Sequence, residues 1–585
     1  MQKYKHLGIY IFGILSVLAM ASYPLWQAGF DSDDAYNSSL RGLLLAEDKS
    51  LIPWLSHMIV DWLHAGRFFP LALISTYGFW YYCSNLLIYR IFHWLLLVSC
   101  LFAFSGTVYK MTRNIQVGLF FLVIAPLFWS VTQGWSCFLT SFAPLGPLIT
   151  LLIIFSIYSF YEYLQNNKLI YYLFSLGGYS LALLTYEISI IIFFVIMVFS
   201  LKYIKSLKTL FKTLVPFAFL TIVYFAFVHF YKLSVGYEGV QFGQLKLFGI
   251  TYLKQFMAAF PLSYYFFMAQ DYFYYNYNHL IVNYSFIYLL IVALFVTSFL
   301  IICSLSRFTL SKTAKFNCLV LGGSFAFVPP VLIGISKKYQ SELVFGVGHL
   351  VVFIQQMGLS LIFVLLISLV NEYFINKSIV AKVSGFFFRI LISLVISLGI
   401  SFAMVVNDFS VYQENLVIKY LRNLFALSLQ NGLVKTIPEL STILTKHLYP
   451  WDGQAFVMQT VRAKMQFVNG QDKIYQKFYS GLAKPDKMFY LDYEILPDSL
   501  DSGFVVLGQI HSLFFKSQEK NQNLMRLQLE KPRIFLTYKS DKDFNQIVER
   551  LAVAYKFNLK TKKHLLSECS KKEICVVDGF FDVSS

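Results

Sequence analysis

The chain has 585 residues, of which 57% are hydrophobic, 19% aromatic and only 14% charged, with a formal net charge of +17. Soluble chains carry about 25% charged residues, so this composition excludes a soluble globular enzyme, and the apolar excess excludes a disordered chain. The basic residues stand in short clusters between apolar runs, which is loop placement in a membrane protein and not a nucleic-acid surface.

The charge deficit is confined to one part of the chain. Residues 1–406 hold 24 Lys and Arg and 12 Asp and Glu, whereas residues 407–585 hold 24 and 19 in less than half that length. The predicted organisation is an all-α polytopic membrane domain over 1–406, followed by a small α+β extracytoplasmic domain over 407–585.

From the N-terminus, Lys3 and Lys5 precede an apolar run from Leu7 to about Trp26, and a bilayer span needs about 20 such residues. Ala19-Met20-Ala21 loosely fits a signal-peptide cleavage site, but the many later spans favour a retained first helix that fixes their orientation. Further spans are predicted near 87–106, 117–134, 145–163, 213–231, 284–303, 317–336, 349–370 and 387–406. Between Lys168 and Lys202 lies one apolar stretch interrupted by Thr185-Tyr186-Glu187. At about 1.5 Å per residue it is too long for one span, and it reads as a helical hairpin with Glu187 at its tip, which brings the total to about 11.

Charge fixes the orientation. Lys110 and Arg113, Lys168, Lys202 to Lys212, Arg307 to Lys315, and Lys377 to Arg389 all fall on the side of Lys3 and Lys5. That side is therefore expected to be cytoplasmic, and an odd number of spans leaves the C-terminal domain outside. Of the 12 acids before residue 407, only Glu162 and Glu372 fall on the basic side. Longer and more polar outer loops account for most of that asymmetry, but not for three aspartates directly after the first span.

Two outer loops are long, 28–84 and 233–283. The second carries Tyr264-Tyr265-Phe266-Phe267 and Tyr272-Phe273-Tyr274-Tyr275, either an interfacial aromatic belt or a platform for the apolar faces of sugar rings. A short outer loop, Lys337-Lys338-Tyr339-Gln340-Ser341-Glu342, places adjacent lysines where positive charge is otherwise sparse, an arrangement suited to a phosphate or to lipid head groups. The tail opens with helix-like sequence from Gln413 to Gln430, then strand-like pieces at 504–507 and 533–538 and a helical stretch near 543–555. Cys569 and Cys575 fall in that tail and suit a disulfide in an oxidising compartment; the other five cysteines lack paired spacing. No Cys and His metal pattern, Gly-rich phosphate loop, repeat or low-complexity segment is present.

Chemistry is expected around Phe30-Asp31-Ser32-Asp33-Asp34-Ala35-Tyr36. Adjacent carboxylates at a membrane edge repel and lose hydration, which raises a pKa or recruits a cation. Asp33 and Asp34 therefore suit a general base for a hydroxyl, or an anchor for a divalent metal such as magnesium or manganese; a solvated loop that keeps the helix end outside is the plainer alternative. Arg67, in Gly66-Arg67-Phe68-Phe69-Pro70, suits a structural pair with Asp61 or a bidentate phosphate contact. Glu187, inside a long apolar stretch, is a functional candidate because an ionisable group is costly there. His57, His64, His93, His229, His279 and His349 are scattered and read as structural or interfacial.

Taken together, Asp33-Asp34-Ala35-Tyr36, Gly66-Arg67, Leu184-Thr185-Tyr186-Glu187 and Ser336-Lys337-Lys338-Tyr339-Gln340 resemble the GT-C superfamily of membrane glycosyltransferases that use lipid-linked sugars. The resemblance covers about residues 1–406 and leaves the tail aside. It implies an inverting transfer from a polyprenyl-phosphate or pyrophosphate donor to a surface glycan (lipopolysaccharide among them), lipid or protein acceptor, outside a bacterial cytoplasmic membrane. Asp33 or Asp34 would activate the acceptor hydroxyl; Arg67, Lys337 and Lys338 would neutralise the donor phosphate; Glu187, Tyr36, Tyr339 and Gln340 would position substrate. No nucleic-acid partner is expected. A lipid-linked glycan flippase would place ionisable groups along a mid-membrane path, where this chain has only Glu187 and Arg90. An O-antigen polymerase or ligase would rely on arginines in large outer loops, not on acids after the first span.

Overall fold

The computed structural model describes residues 7–28, 49–83, 86–132, 137–233, 245–269, 286–305, 310–375 and 379–428, isolated positions of the first loop including Asp34, and the strands of the tail. The chain divides into two compact units, Met1–Asp34 with Leu51–Glu414, and Ala35–Ser50 with Asn415–Ser585. The first unit thus excludes part of the first long predicted loop and runs slightly past the compositional break at residue 406.

The first unit is helical. In chain order its helices are α1 (Leu7–Ala21), α2 (Tyr23–Gln27), α3 (Leu51–His64), α4 (Pro70–Tyr82), α5 (Leu86–Thr112), α6 (Ile115–Ile124), α7 (Leu145–Asn166), α8 (Leu169–Leu183), α9 (Ile190–Tyr203), α10 (Leu207–Tyr231), α11 (Leu245–Ala258), α12 (Phe286–Leu305), α13 (Lys312–Gly334), α14 (Lys337–Glu342), α15 (Val352–Ile375) and α16 (Ile379–Ser428). Among the described residues, six helices are long and apolar enough to cross a membrane: those over Leu87–Thr112, Leu145–Asn166, Leu207–Tyr231, Lys312–Gly334, Val352–Tyr373 and Val383–Val411. The remaining predicted runs contain shorter helices. The hairpin over 168–202 is formed by α8 and α9, with a 3-10 turn at Glu187–Ser189 between them.

Helix ends follow from local chemistry. Asn114 caps α6 by accepting from the Gln116 N–H at 3.0 Å, and Ser311 caps α13 by accepting from the Ala314 N–H at 3.1 Å. Asn167 closes α7 in the left-handed region (φ 51°), a conformation asparagine tolerates. The two acids on the basic side are neutralised there: Glu162 meets Lys110 at 3.5 Å and Glu372 meets Lys315 at 2.6 Å. Their pairing explains how they sit among lysines.

Packing inside the bundle depends on close backbone approach. A Cβ on Gly358 of α15 would lie 2.5 Å from the Ala326 nitrogen and 2.6 Å from the Gly322 carbonyl oxygen of α13, so only glycine lets these helices touch backbone to backbone. On the outside, Leu207, Phe211, Val215, Phe219 and Ile222 of α10 are each more than half exposed. An apolar stripe of that length suits hydrocarbon, not water.

The two long loops predicted over 28–84 and 233–283 are not wholly irregular. Within 28–84, α3 and α4 form because Leu55, Ile59 and Leu63 recur at helical spacing and because Pro53 and Pro70 stand in first turns, where a missing N–H costs nothing. Within 233–283, α11 is followed by a π turn at Tyr265–Ala269. There Tyr265 meets Phe402 edge-on, with centroids 5.5 Å apart, and Phe267 stacks on Phe345 at 5.6 Å. These two rings are packing elements; Tyr272 to Tyr275 lie outside the described residues.

In the second unit, seven strands form one mixed sheet: β1 (Thr442–Thr445), β2 (Gln466–Asn469), β3 (Met488–Pro497), β4 (Phe504–Lys516), β5 (Arg526–Leu529), β6 (Arg533–Lys539) and β7 (Ile574–Cys575). Their order is β2-β1-β3-β4-β6-β7, with β5 pairing β4. β1 runs parallel to β2 and β3, and the other pairs are antiparallel, with Leu507 opposite Leu536 in the centre. The two predicted strands are the starts of β4 and β6. The helix expected near 543–555, and Cys569 with the side chain of Cys575, lie outside the described residues.

Candidate functional site

Arg67 is placed by its backbone. After α3 ends, Gly66 takes a φ of +93°, a left-handed turn that glycine makes without strain, and the Arg67 N–H bonds the Trp62 carbonyl at 2.9 Å. Pro70 opens α4, and the Leu71 N–H then donates to the Leu184 carbonyl at 3.0 Å. Tyr224 of α10 donates to the Phe68 carbonyl at 2.7 Å. The 66–71 turn is thereby fastened to the tip of the α8–α9 hairpin.

That junction brings Arg67 to Glu187, 120 positions along the chain. Nε donates to Oε1 at 3.0 Å and Nη2 to Oε2 at 2.8 Å. The guanidinium lies 4.6 Å from the Phe69 ring, 5.1 Å from Tyr186 and 6.0 Å from Trp62, an aromatic surround that favours a cation. Burial pulls the Arg67 pKa down, but the Glu187 carboxylate outweighs it and holds the value well above normal. Burial likewise pushes Glu187 up, and Arg67 brings it below the ordinary carboxylate value. Both are charged at any physiological pH. The pair occupies one edge of the guanidinium; Nη1 has no protein acceptor among the described residues and remains able to bind an anion. Asp61, the other partner considered for Arg67, instead pairs with His57 one turn away at 3.3 Å.

A second group adjoins this one. The hydroxyl of Tyr339, on α14, is hydrogen-bonded to Nε2 of His349, in the loop that follows, at 2.7 Å, and the ring centroids are 4.1 Å apart. Gln255 of α11 clamps the same residue: it accepts from the His349 N–H at 2.9 Å and donates to Gln355 at 2.7 Å. Burial, then the charges of Arg67 and Lys338, hold the His349 pKa down to about 3. The ring is therefore neutral and carries one hydrogen, on whichever nitrogen the bond to Tyr339 selects. Arg67, Glu187, Lys338 and Tyr339 thus share one neighbourhood. Gln340 turns away to donate to the Gly334 carbonyl at 2.8 Å, closing the end of α13. The Lys337 side chain lies outside the described residues.

The depressed histidine has a consequence for stability. Between about pH 6.5 and pH 3 the unfolded chain takes up a proton that folded His349 refuses, so stability falls as pH falls. Glu187 acts lower, since a depressed carboxylate loses its contribution only below the ordinary carboxylate pKa. Thermal melting from pH 7.5 to pH 5 should show a fall in the wild type and a shallower one in His349→Gln.

Asp34 has a different setting. It is fully buried and accepts hydrogen bonds at Oδ2 from the Tyr89 hydroxyl and the Phe142 N–H. Arg90 holds the same turn, donating to the Thr140 carbonyl at 2.8 Å and the Ala28 carbonyl at 3.0 Å, and His93 bonds the Phe138 carbonyl at 2.8 Å. Both hydrogens reach the same carboxylate oxygen, and no group of three or more His, Cys, Asp or Glu able to hold a metal occurs among the described residues. Asp31, Asp33 and Tyr36 lie outside the described residues. Sequence reasoning does not single out Tyr89, Arg90 or His349 as site residues. The one available signal is Arg90, a charge inside an otherwise apolar helix.

No protein-family model matches the chain, and no curated protein does. Among solved structures the chain is similar to ArnT from Cupriavidus metallidurans bound to undecaprenyl phosphate, at 10% identity and a TM-score of 0.39, over 84% of this chain and 94% of that one. It is also similar to the same protein in the apo state, at 12% identity and a TM-score of 0.36, over 83% and 93%. A likeness of that degree leaves the site unconstrained.

Proposed function

We propose that the chain is an integral membrane glycosyltransferase of the GT-C type, which moves a sugar from a polyprenyl-phosphate donor to a glycan, lipid or protein acceptor on the outer side of a bacterial cytoplasmic membrane. The observation that carries this reading is the meeting of Arg67, Glu187, Lys338 and Tyr339 at the hairpin tip. That tip is the end of α8 and α9 opposite the Lys168 and Lys202 ends. A lipid-borne phosphate needs cations at the membrane edge, and a guanidinium fixed by a carboxylate, with one edge unused, is preorganised for it.

In this mechanism the phosphoryl oxygens bind Arg67, Lys337 and Lys338. Asp33 accepts the acceptor's hydroxyl proton. The oxygen attacks the anomeric carbon from the face opposite the phosphate, a carbon–oxygen bond forms, and the carbon–phosphate-oxygen bond breaks with inversion. The cations hold the charge of the departing polyprenyl phosphate. Asp34, bound to Tyr89 and Phe142, anchors the backbone beside Asp33 while Tyr36 and Glu187 help to seat substrate. The N-terminus is cytoplasmic and the tail extracytoplasmic in this arrangement.

Cells without the protein should accumulate one polyprenyl-phosphate sugar and lose that sugar from one envelope glycan, lipid or protein, by mass spectrometry of both fractions. Unchanged profiles in both would overturn the reading.

A further inference from the structure

Gln255 of α11 and Gln355, near the start of α15, are both completely buried. A buried carboxamide is costly unless its two ends find partners, and these two find them in each other and in the backbone. The Gln255 nitrogen donates to the Gln355 oxygen at 2.7 Å, and the Gln255 oxygen accepts from the His349 N–H at 2.9 Å. The Gln355 nitrogen donates in turn to the Ala326 carbonyl of α13 at 3.4 Å. That carbonyl is available because residue 330, four positions on, is a proline inside the helix and brings no N–H.

The direction of this series of bonds is forced. A backbone N–H at one end can only donate and a backbone carbonyl at the other can only accept, so each amide has one allowed orientation. The His349 backbone is thereby tied to α11, α15 and α13 together. Close packing tightens the tie: a Cβ on Gly348 would lie 2.7 Å from that of Ala258, and Gly346 turns with a φ of +84°. What the series holds in place is the Tyr339 hydroxyl, bonded to the His349 ring at 2.7 Å. That hydroxyl is close enough to Arg67 to help it keep its proton, and both side chains are partly open to solvent. A hydroxyl beside a guanidinium suits the oxygens of a phosphate, and groups fixed before binding lose less entropy when the ligand arrives.

We propose that Gln255 and Gln355 are positioning residues for a lipid-borne phosphate, fixing the Tyr339 hydroxyl beside Arg67 through His349. The assignment rests on the glycosyltransferase reading and adds to it the residues that hold its phosphate subsite ready.

The test uses the full chain in lipid nanodiscs, with binding measured for undecaprenyl phosphate and for undecaprenol, which lacks the phosphate. The wild type should bind the phosphate at least about tenfold more tightly than the alcohol. Tyr339→Phe should remove about tenfold of that gain, the scale of one hydrogen bond to a charged group. Gln255→Leu should remove a similar factor, while undecaprenol binding stays within about twofold in every variant. The double variant decides between positioning and general loosening. If Gln255 acts through the tyrosine, Gln255→Leu with Tyr339→Phe should lose no more than the larger single loss, within about twofold; independent effects would multiply. Gln255→Leu strands the His349 N–H and should lower the melting temperature. Should it fail to fold, Gln255→Asn, which keeps the amide but withdraws it by one methylene, serves instead with the same expected pattern. An unchanged phosphate gain in either single variant, or losses that multiply in the double one, overturns the positioning role and leaves the transferase reading standing. A wild type that does not distinguish the phosphate from the alcohol overturns both.

Discussion

Replacing Arg67 with alanine should abolish sugar transfer, with a loss of about 100- to 1,000-fold, the scale of one charge-stabilising donor removed from an active site. Arg67→Lys should recover little, because a single ammonium cannot bond Glu187 along one edge and a phosphate along another. The partner variant separates electrostatics from folding. Glu187→Gln leaves the guanidinium among Phe69, Tyr186 and Trp62 without its counter-charge, and both members of the pair are mostly shielded, at 21% and 25% exposed. Breaking a buried pair in this way costs about 3–5 kcal/mol, and partial exposure places this pair toward the lower figure. Replacing both together, Arg67→Met with Glu187→Met, should regain much of the lost stability without any return of transfer. Melting temperature and turnover, measured on the same preparations, check both statements; recovered turnover in the double variant would remove the phosphate role.

The neighbouring aspartates should respond in opposite ways. Asp33→Asn should lower transfer by about 100- to 10,000-fold, as for loss of a general base, with the melting temperature unchanged. Asp34→Ala should instead destabilise the protein by about 1–3 kcal/mol, since it strands the Phe142 N–H inside the bundle and leaves the Tyr89 hydroxyl its longer bond of 3.3 Å to the Thr140 carbonyl. Thermal unfolding and transfer assays on both variants separate the roles. An Asp34→Asn protein that melts normally but does not turn over would move the base from Asp33 to Asp34.

Much of the bundle was legible because lipid imposes a simple rule: apolar runs of bilayer length become helices, and lysines collect on one side. The hairpin over 168–202 follows from its length and from the Thr185-Tyr186-Glu187 interruption. Six helices meet the length and composition of a span, and the shorter ones, such as α8 and α9, fall in stretches whose turns consume residues that a simple count assigns to the membrane. Charge beside or within apolar sequence likewise marked Arg67 and Glu187, and a lysine pair in a loop otherwise poor in positive charge marked Lys338. Pairing was not legible. Arg67 finds Glu187 across 120 positions through packing of the 66–71 turn on the hairpin, whereas Asp61, near in sequence, points to His57. Tyr339 was legible from its place beside the lysines, whereas Tyr89 was hidden as one tyrosine among 40.

The side of the membrane on which these groups lie is the most direct test of the whole arrangement. In a chain whose 7 native cysteines are changed to serine, single cysteines replace Ser56 in α3 and Lys208 in α10, both exposed. Intact cells are then treated with a membrane-impermeant maleimide. Labelling at position 56 without permeabilisation, and at position 208 only after it, is the expected result. Labelling at 208 in intact cells with 56 protected would put Arg67 and Glu187 in the cytosol and contradict transfer at the outer face.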